Sequence, residues 1–195
     1  QEAGWQCLLY LAFVRVILVG WQHPFYTAFT GIGLAMARMS RSGAVKFFAP
    51  LGGLLLAMFT HGFHNTLATL MGSSAGLLLG TAIDWSGWLF MFIIIIVVTR
   101  REGKYLRQYL GGEVQAGTIP PALYHTAASA WKQIGARTAA LFNGKYRKTA
   151  RFYQVCGEYA HKRHQYAVLG NEKDNVAILQ KLRAEMAALA PYVQA

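Results

Sequence analysis

Apolar residues fill the first half of the chain in four runs, at 5–20, 24–37, 47–71 and 76–99, each approaching the roughly 20 residues that cross the hydrocarbon core of a bilayer. The second run is short unless Trp21 and Met39 extend it. Only the turn "GWQHP" separates it from the first, which predicts an antiparallel hairpin. Glycine and alanine recur at four-residue spacing, Gly31 with Ala35 and Gly53 with Ala57, as in membrane helices whose backbones approach closely. Beyond Arg101 the pattern changes. "GGEVQAGTIPP" at 111–121 reads as a linker ending at a helix start, where a first turn tolerates Pro120 and Pro121. Helical periodicity then predicts segments over 122–142, 145–169 and 175–189, broken by "NG" and "GNEKD". Phe152, Val155, Cys156, Tyr159 and Tyr166 form one apolar stripe, and Val176, Leu179, Leu182, Met186 and Leu189 another.

The fold class that follows is all-α: a polytopic bundle of about four transmembrane helices over 1–99, a basic juxtamembrane segment and linker over 100–121, and a helical hairpin or small bundle over 122–195. Composition agrees, with 54% hydrophobic residues and a mean hydropathy of +0.27, too apolar for a disordered chain. Of 19 basic and 8 acidic residues, 1–99 hold four and two, so most of the net charge of +11 falls in the second half. Arg38, Arg41 and Lys46 flank one connection, and Arg100, Arg101, Lys104 and Arg107 follow the fourth run. The positive-inside rule makes both flanks cytoplasmic, and the cysteine usage suits a bacterial inner membrane, so a multi-pass protein with its C-terminal tail in the cytoplasm is expected. Each juxtamembrane charge attracts anionic lipid by about 1 kcal/mol. Trp85 and Trp88 fall where an interfacial aromatic belt is expected. Cys7 and Cys156 lie in different environments, so no disulfide framework is expected. No signal-peptide pattern precedes the first run, and residue 1 is Gln, so the chain is expected to begin partway through a larger protein.

The orientation places His23 at the outer end of the second run. His61 lies about 16 Å from Gly72 at 1.5 Å per residue, hence near mid-membrane, with Asn65 in the outer half. In "LLLAMFTHGFHNTLATL", His61 and Asn65 share one helix face, and His64 points partly aside. Such groups either hydrogen-bond between helices, worth about 1 kcal/mol, or form a site. The density of three in five residues, joined by His23, favours a site.

Two other patterns compete. "GSSAG" at 72–76 satisfies G-x-S-x-G, but a turn between membrane helices lacks the strand-to-helix strain of a nucleophile elbow. "HKRH" at 161–164 spaces imidazoles for a metal, yet its Lys162 and Arg163 read as a solvated cationic face. Lys145, Arg147, Lys148 and Arg151 beside Tyr146, Phe152 and Tyr153 permit nucleic-acid contact, but the aromatics are better explained as a packed helix face, so no nucleic-acid partner is expected.

"RVILVGWQHPFYTAFTGIGLAMAR" followed by "APLGGLLLAMFTHGFHNTL" resembles the two C-terminal membrane motifs of PrsW-type intramembrane proteases, relatives of the CAAX-processing membrane proteases. In that pattern an Arg precedes His-x-x-x-Thr-x-x-x-Gly, matched by Arg15, His23, Thr27 and Gly31, and a later His-x-x-x-Asn is matched by His61 and Asn65. The basic tail is also similar to the cytoplasmic region of such proteins, so the resemblance covers nearly the whole chain. It implies hydrolysis of a peptide bond in a membrane-associated protein substrate, with a Glu activating water and His and Asn groups binding a metal or stabilising the oxyanion. By the resemblance His23 and His61 are the catalytic or metal-binding candidates, Asn65 is an oxyanion or orienting group, and Zn2+ is the cofactor to test in an enzyme of metallo- or glutamic type. The family's glutamate pair and its later Glu-Asn motif belong on helices preceding the first run, and neither occurs in these 195 residues. Glu2 matches neither motif, and Asp84 sits between the third and fourth runs. Arg15, in mid-span, partners either an acidic group or backbone carbonyls. The alternative from another class is a non-catalytic subunit or scaffold of a larger membrane complex.

Overall fold

Helix is the only regular structure among the described residues, which are 2–13, 16, 22–70 and 74–194 of the computed structural model. The helices are α1 (Glu2–Ala12), α2 (Gln22–Arg38), α3 (Gly43–Leu70), α4 (Ser74–Gln115), α5 (Pro121–Ala127), α6 (Ala130–Phe142), α7 (Tyr146–Leu169) and α8 (Asn175–Leu189). The chain divides into two compact units, 1–95 and 96–195, with α4 contributing to both.

In the first unit α2 and α3 pack antiparallel. Ser42 starts α3: its Oγ accepts from the Val45 N–H at 3.5 Å and its carbonyl from the Lys46 N–H at 3.0 Å. The crossing is set by two glycines. A Cβ on Gly33 would meet the Ala49 carbonyl, and one on Gly53 would meet the Phe29 carbonyl, so each helix lays backbone on backbone at these points. The sequence expectation was right for Gly53, but on α2 the close approach is at Gly33, because Gly31 lies on a face where nothing comes within 4 Å. Two hydroxyls of α3 are satisfied by their own backbone. Thr60 Oγ1 donates to the Leu56 carbonyl at 2.8 Å and Thr69 Oγ1 to that of Asn65 at 2.8 Å. Large apolar side chains such as Phe47, Phe48, Leu55 and Phe59 face outward, whereas Tyr26 is buried. An exterior of this kind matches hydrocarbon and not water. Among the described residues one stretch, Gly43–Leu67, is long and apolar enough to cross a membrane.

The second unit has a conventional apolar core. Leu106 and Leu110 of α4, Ile119, Leu123 of α5, Phe152 and Val155 of α7 and Met186 of α8 are all buried. Residues 111–115, expected to open a linker, are instead the last turn of α4, since Leu106, Leu110 and Glu113 fall on one buried face and tie that turn to the core. The chain then reverses at Gly117, whose φ of +71° suits glycine. Pro120 and Pro121 begin α5 as expected, but the helix predicted over 122–142 is two helices. Ser129, extended at φ −132°, caps α6 by accepting from the Lys132 N–H at 3.4 Å, and Gln133 Nε2 donates to the Ala127 carbonyl at 2.8 Å, closing α5. Phe152, Val155, Cys156 and Tyr159 line the core as the stripe predicts, whereas Tyr166 and Val176 are exposed where their helices outrun it. Both cysteines are free; Cys156 is fully buried, and burial pushes its thiol up to about 12.

Glu113 is the polar centre of this unit. Tyr159 Oη donates to its Oε1 at 2.5 Å, while Thr118 Oγ1 at 2.8 Å and Arg183 Nε at 2.7 Å donate to its Oε2. Burial raises the Glu113 pKa, but these hydrogen bonds and the guanidinium outweigh it and hold the carboxyl below its ordinary range. A buried carboxylate with several donors joins α4, the following turn, α7 and α8.

Candidate functional site

His23 lies in the first turn of α2 and His61 in the C-terminal half of α3, and the antiparallel crossing brings them together with ring centroids 5.5 Å apart at 66°. Tyr26, one turn after His23, stacks on His61 at 5.1 Å and 11°. The stack covers one face of the His61 ring and leaves its nitrogens at the edge. Thr27 turns to its own helix, donating to the His23 carbonyl at 2.9 Å and that of Pro24 at 3.2 Å.

Two further candidates sit on α3. Asn65 is on α3 one turn beyond His61 and exposed. His64 faces α4, its Cε1 3.8 Å from where a Cβ on Gly80 would stand. Arg15, the first two residues of "GSSAG" and part of "GWQHP" lie outside the described residues, as do the Ser74 and Asp84 side chains. No cluster of three His, Cys, Asp or Glu residues that could hold a metal occurs among the described residues.

Tyr26 also borders a groove of about 470 Å³ between α2, α3 and α4, lined by Phe25, Phe29, Phe63, His64 and Phe90 among others. Phe25 is central. Its ring packs on Gly87, where a Cβ would lie 3.3 Å away, and meets Phe90 edge-on at 6.0 Å. Sequence reading missed Tyr26 and this wall; the signal was the aromatic run "FYTAF" on the helix that carries His23.

The sequence profile described as "PrsW family intramembrane metalloprotease" matches residues 1–99, which contain the histidine pair and the groove. The chain belongs to this family. No curated protein and no solved structure gives a match. As a PrsW-family chain it is a membrane protein, and its paired imidazoles fall in the family-matched part.

The "HKRH" segment sits outside that part and forms no fully solvated face. His164 stacks on Tyr105 at 4.2 Å, and its Nδ1 lies 3.0 Å from Tyr109 Oη, while His161 and Arg163 are exposed. Burial, then the Arg101 and His161 charges, lower the His164 pKa. Arg151, grouped with the tail cations, is committed to Glu185 at 2.6 Å and Glu158 at 3.2 Å.

Proposed function

We propose that this chain carries part of the active site of an intramembrane protease that hydrolyses a peptide bond in a membrane-associated protein, with His23, His61 and Asn65 as its reacting or orienting groups. The observation that supports the reading is the apposition of His23 and His61, contributed by two helices, within the family-matched residues. Stacking on Tyr26 holds the His61 ring in one orientation, which suits a group that must present a nitrogen edge to a scissile carbonyl. The neighbouring aromatic groove offers an apolar substrate side chain a place beside that edge.

The family description includes a metal, and His23 and His61 are the residues able to hold one. They supply two nitrogen donors, whereas a catalytic zinc site takes three protein ligands and a water. The described residues alone do not complete that set. The reaction also requires a carboxylate to take the proton of the attacking water. In this reading the imidazole pair binds and polarises the carbonyl, and the Asn65 amide, one turn along α3, donates to the developing oxyanion. We further assign the chain about four spans from its apolar runs and a cytoplasmic tail from the charge placement, in a bacterial inner membrane as its cysteine usage suits.

The test is cleavage of a fluorogenic transmembrane-segment reporter by the full-length protein in proteoliposomes. His61→Gln and Asn65→Ala should each lower turnover at least 100-fold, a loss of the size seen for one oxyanion donor, about 10²–10³. Membrane insertion should be unchanged. Undiminished turnover in both variants would remove these residues from the site.

A further inference from the structure

Helix α6 is folded with its bulky residues on the outside. Its packed face consists of Gln133, Ala136, Arg137 and Ala140, small or polar residues at helical spacing. Trp131 is 83% exposed, Phe142 89%, Leu141 58% and Ile134 55%. At 100° per residue Trp131, Ile134, Leu141 and Phe142 fall on one side of the helix, an apolar side interrupted by Thr138 and left uncovered within its own unit. A soluble helix would bury that side.

The charge around it is of one sign. Residues 114–157 contain no Asp or Glu and six Lys or Arg. Lys132 stands in the first turn of α6, and Lys145, Arg147 and Lys148 follow its last turn. Lys148 Nζ lies 3.4 Å from the ring centre of Tyr192, itself half exposed, which extends the amphipathic rim.

We propose that α6 lies in the plane of an anionic bilayer surface, with Trp131, Ile134, Leu141 and Phe142 among the acyl chains and Lys132, Lys145, Arg147 and Lys148 at the headgroups. Bulky aromatic and aliphatic residues on one face, with lysine and arginine at its border, are the chemistry of an interfacial helix. The charge selects the occupant: an unbroken basic stretch complements anionic headgroups, and the chain is already held in a membrane by its other unit. The inference rests on membrane location and not on proteolysis, so it stands or falls apart from the proposed catalysis.

The test places a nitroxide on the full chain, in a Cys7→Ser background, at Ile134→Cys or, as a control on the exposed side of α8, at Gln180→Cys. Cys156 is too buried to label. In nanodiscs containing phosphatidylglycerol, the label at 134 should collide several-fold more with oxygen and several-fold less with a water-soluble nickel chelate than the label at 180. In phosphatidylcholine discs the two should be alike. Trp131→Glu with Phe142→Glu should return the label at 134 to water, and continued protection of Cys156 from maleimide shows that the unit is still folded. The proposal is overturned if the label at 134 stays in water in anionic discs, or is immersed equally without anionic lipid. It is also overturned if protection appears only with spin–spin broadening at high protein occupancy, which assigns the face to a second copy.

Discussion

Replacing Gly33 by Ala sets a methyl group against the Ala49 carbonyl, a main-chain group that cannot rotate away, and 3.1 Å from Pro50 Cα. Non-bonded carbons settle at about 3.5–4.0 Å, so α2 and α3 must part by about 0.5 Å or more. Overpacking of this kind costs about 1–3 kcal/mol. The same change returns about 1 kcal/mol of helix propensity. Gly31→Ala isolates that second effect, since nothing lies within 4 Å of a Cβ there. The difference between the two variants is therefore the interface cost, about 1–3 kcal/mol, or roughly a 5- to 150-fold change in the folded-to-unfolded ratio. Reversible unfolding of the full chain in bicelles measures it. Gly53→Ala should behave like Gly33→Ala, and the double variant should lose less than the sum, because one separation of the helices relieves both contacts. Equal stability of the Gly31 and Gly33 variants would refute the backbone-on-backbone crossing.

The second unit gives three further expectations. The depressed Glu113 pKa contributes stability that is complete above the ordinary carboxylate value, about 4.3, and lost as pH falls through the folded-state value; thermal unfolding against pH should show this acid slope, and Glu113→Gln should flatten it. Tyr159→Phe removes the donor to Oε1 and should cost about 1–3 kcal/mol in denaturant unfolding. His164, with its lowered pKa, should titrate below about 6.5 in an NMR series of imidazole shifts, while its proton uptake on acidification opposes the folded state.

Local signals were legible and pairings were not. Pro120 and Pro121 announce a helix start by the covalent limits of proline, and "NG" breaks the chain at Gly144, whose φ is +69°. Ser129 went unread because apolar spacing continues across it, and only its extended backbone shows that it caps a new helix. Small-residue spacing marks a face that can pack closely but cannot say which of Gly31 and Gly33 meets α3; the partner decides. His23 and His61 stood out because imidazoles contrast with an apolar run. Tyr26 did not, as one aromatic among Phe25, Phe29 and Tyr26 carries no such contrast. Glu113 was hidden by its surroundings in sequence, with its donors Tyr159 and Arg183 supplied by distant helices.

The Arg183 guanidinium reaches Glu113 across 70 residues of chain. On a ribosome adding about 5–20 residues per second, the acid emerges about 4–14 s before the base that neutralises it. Through that interval the nascent tail must keep its carboxylate hydrated and its apolar helices within reach of chaperones. A premature stop codon ahead of α8 would leave it permanently in that condition, a ready target for quality-control degradation.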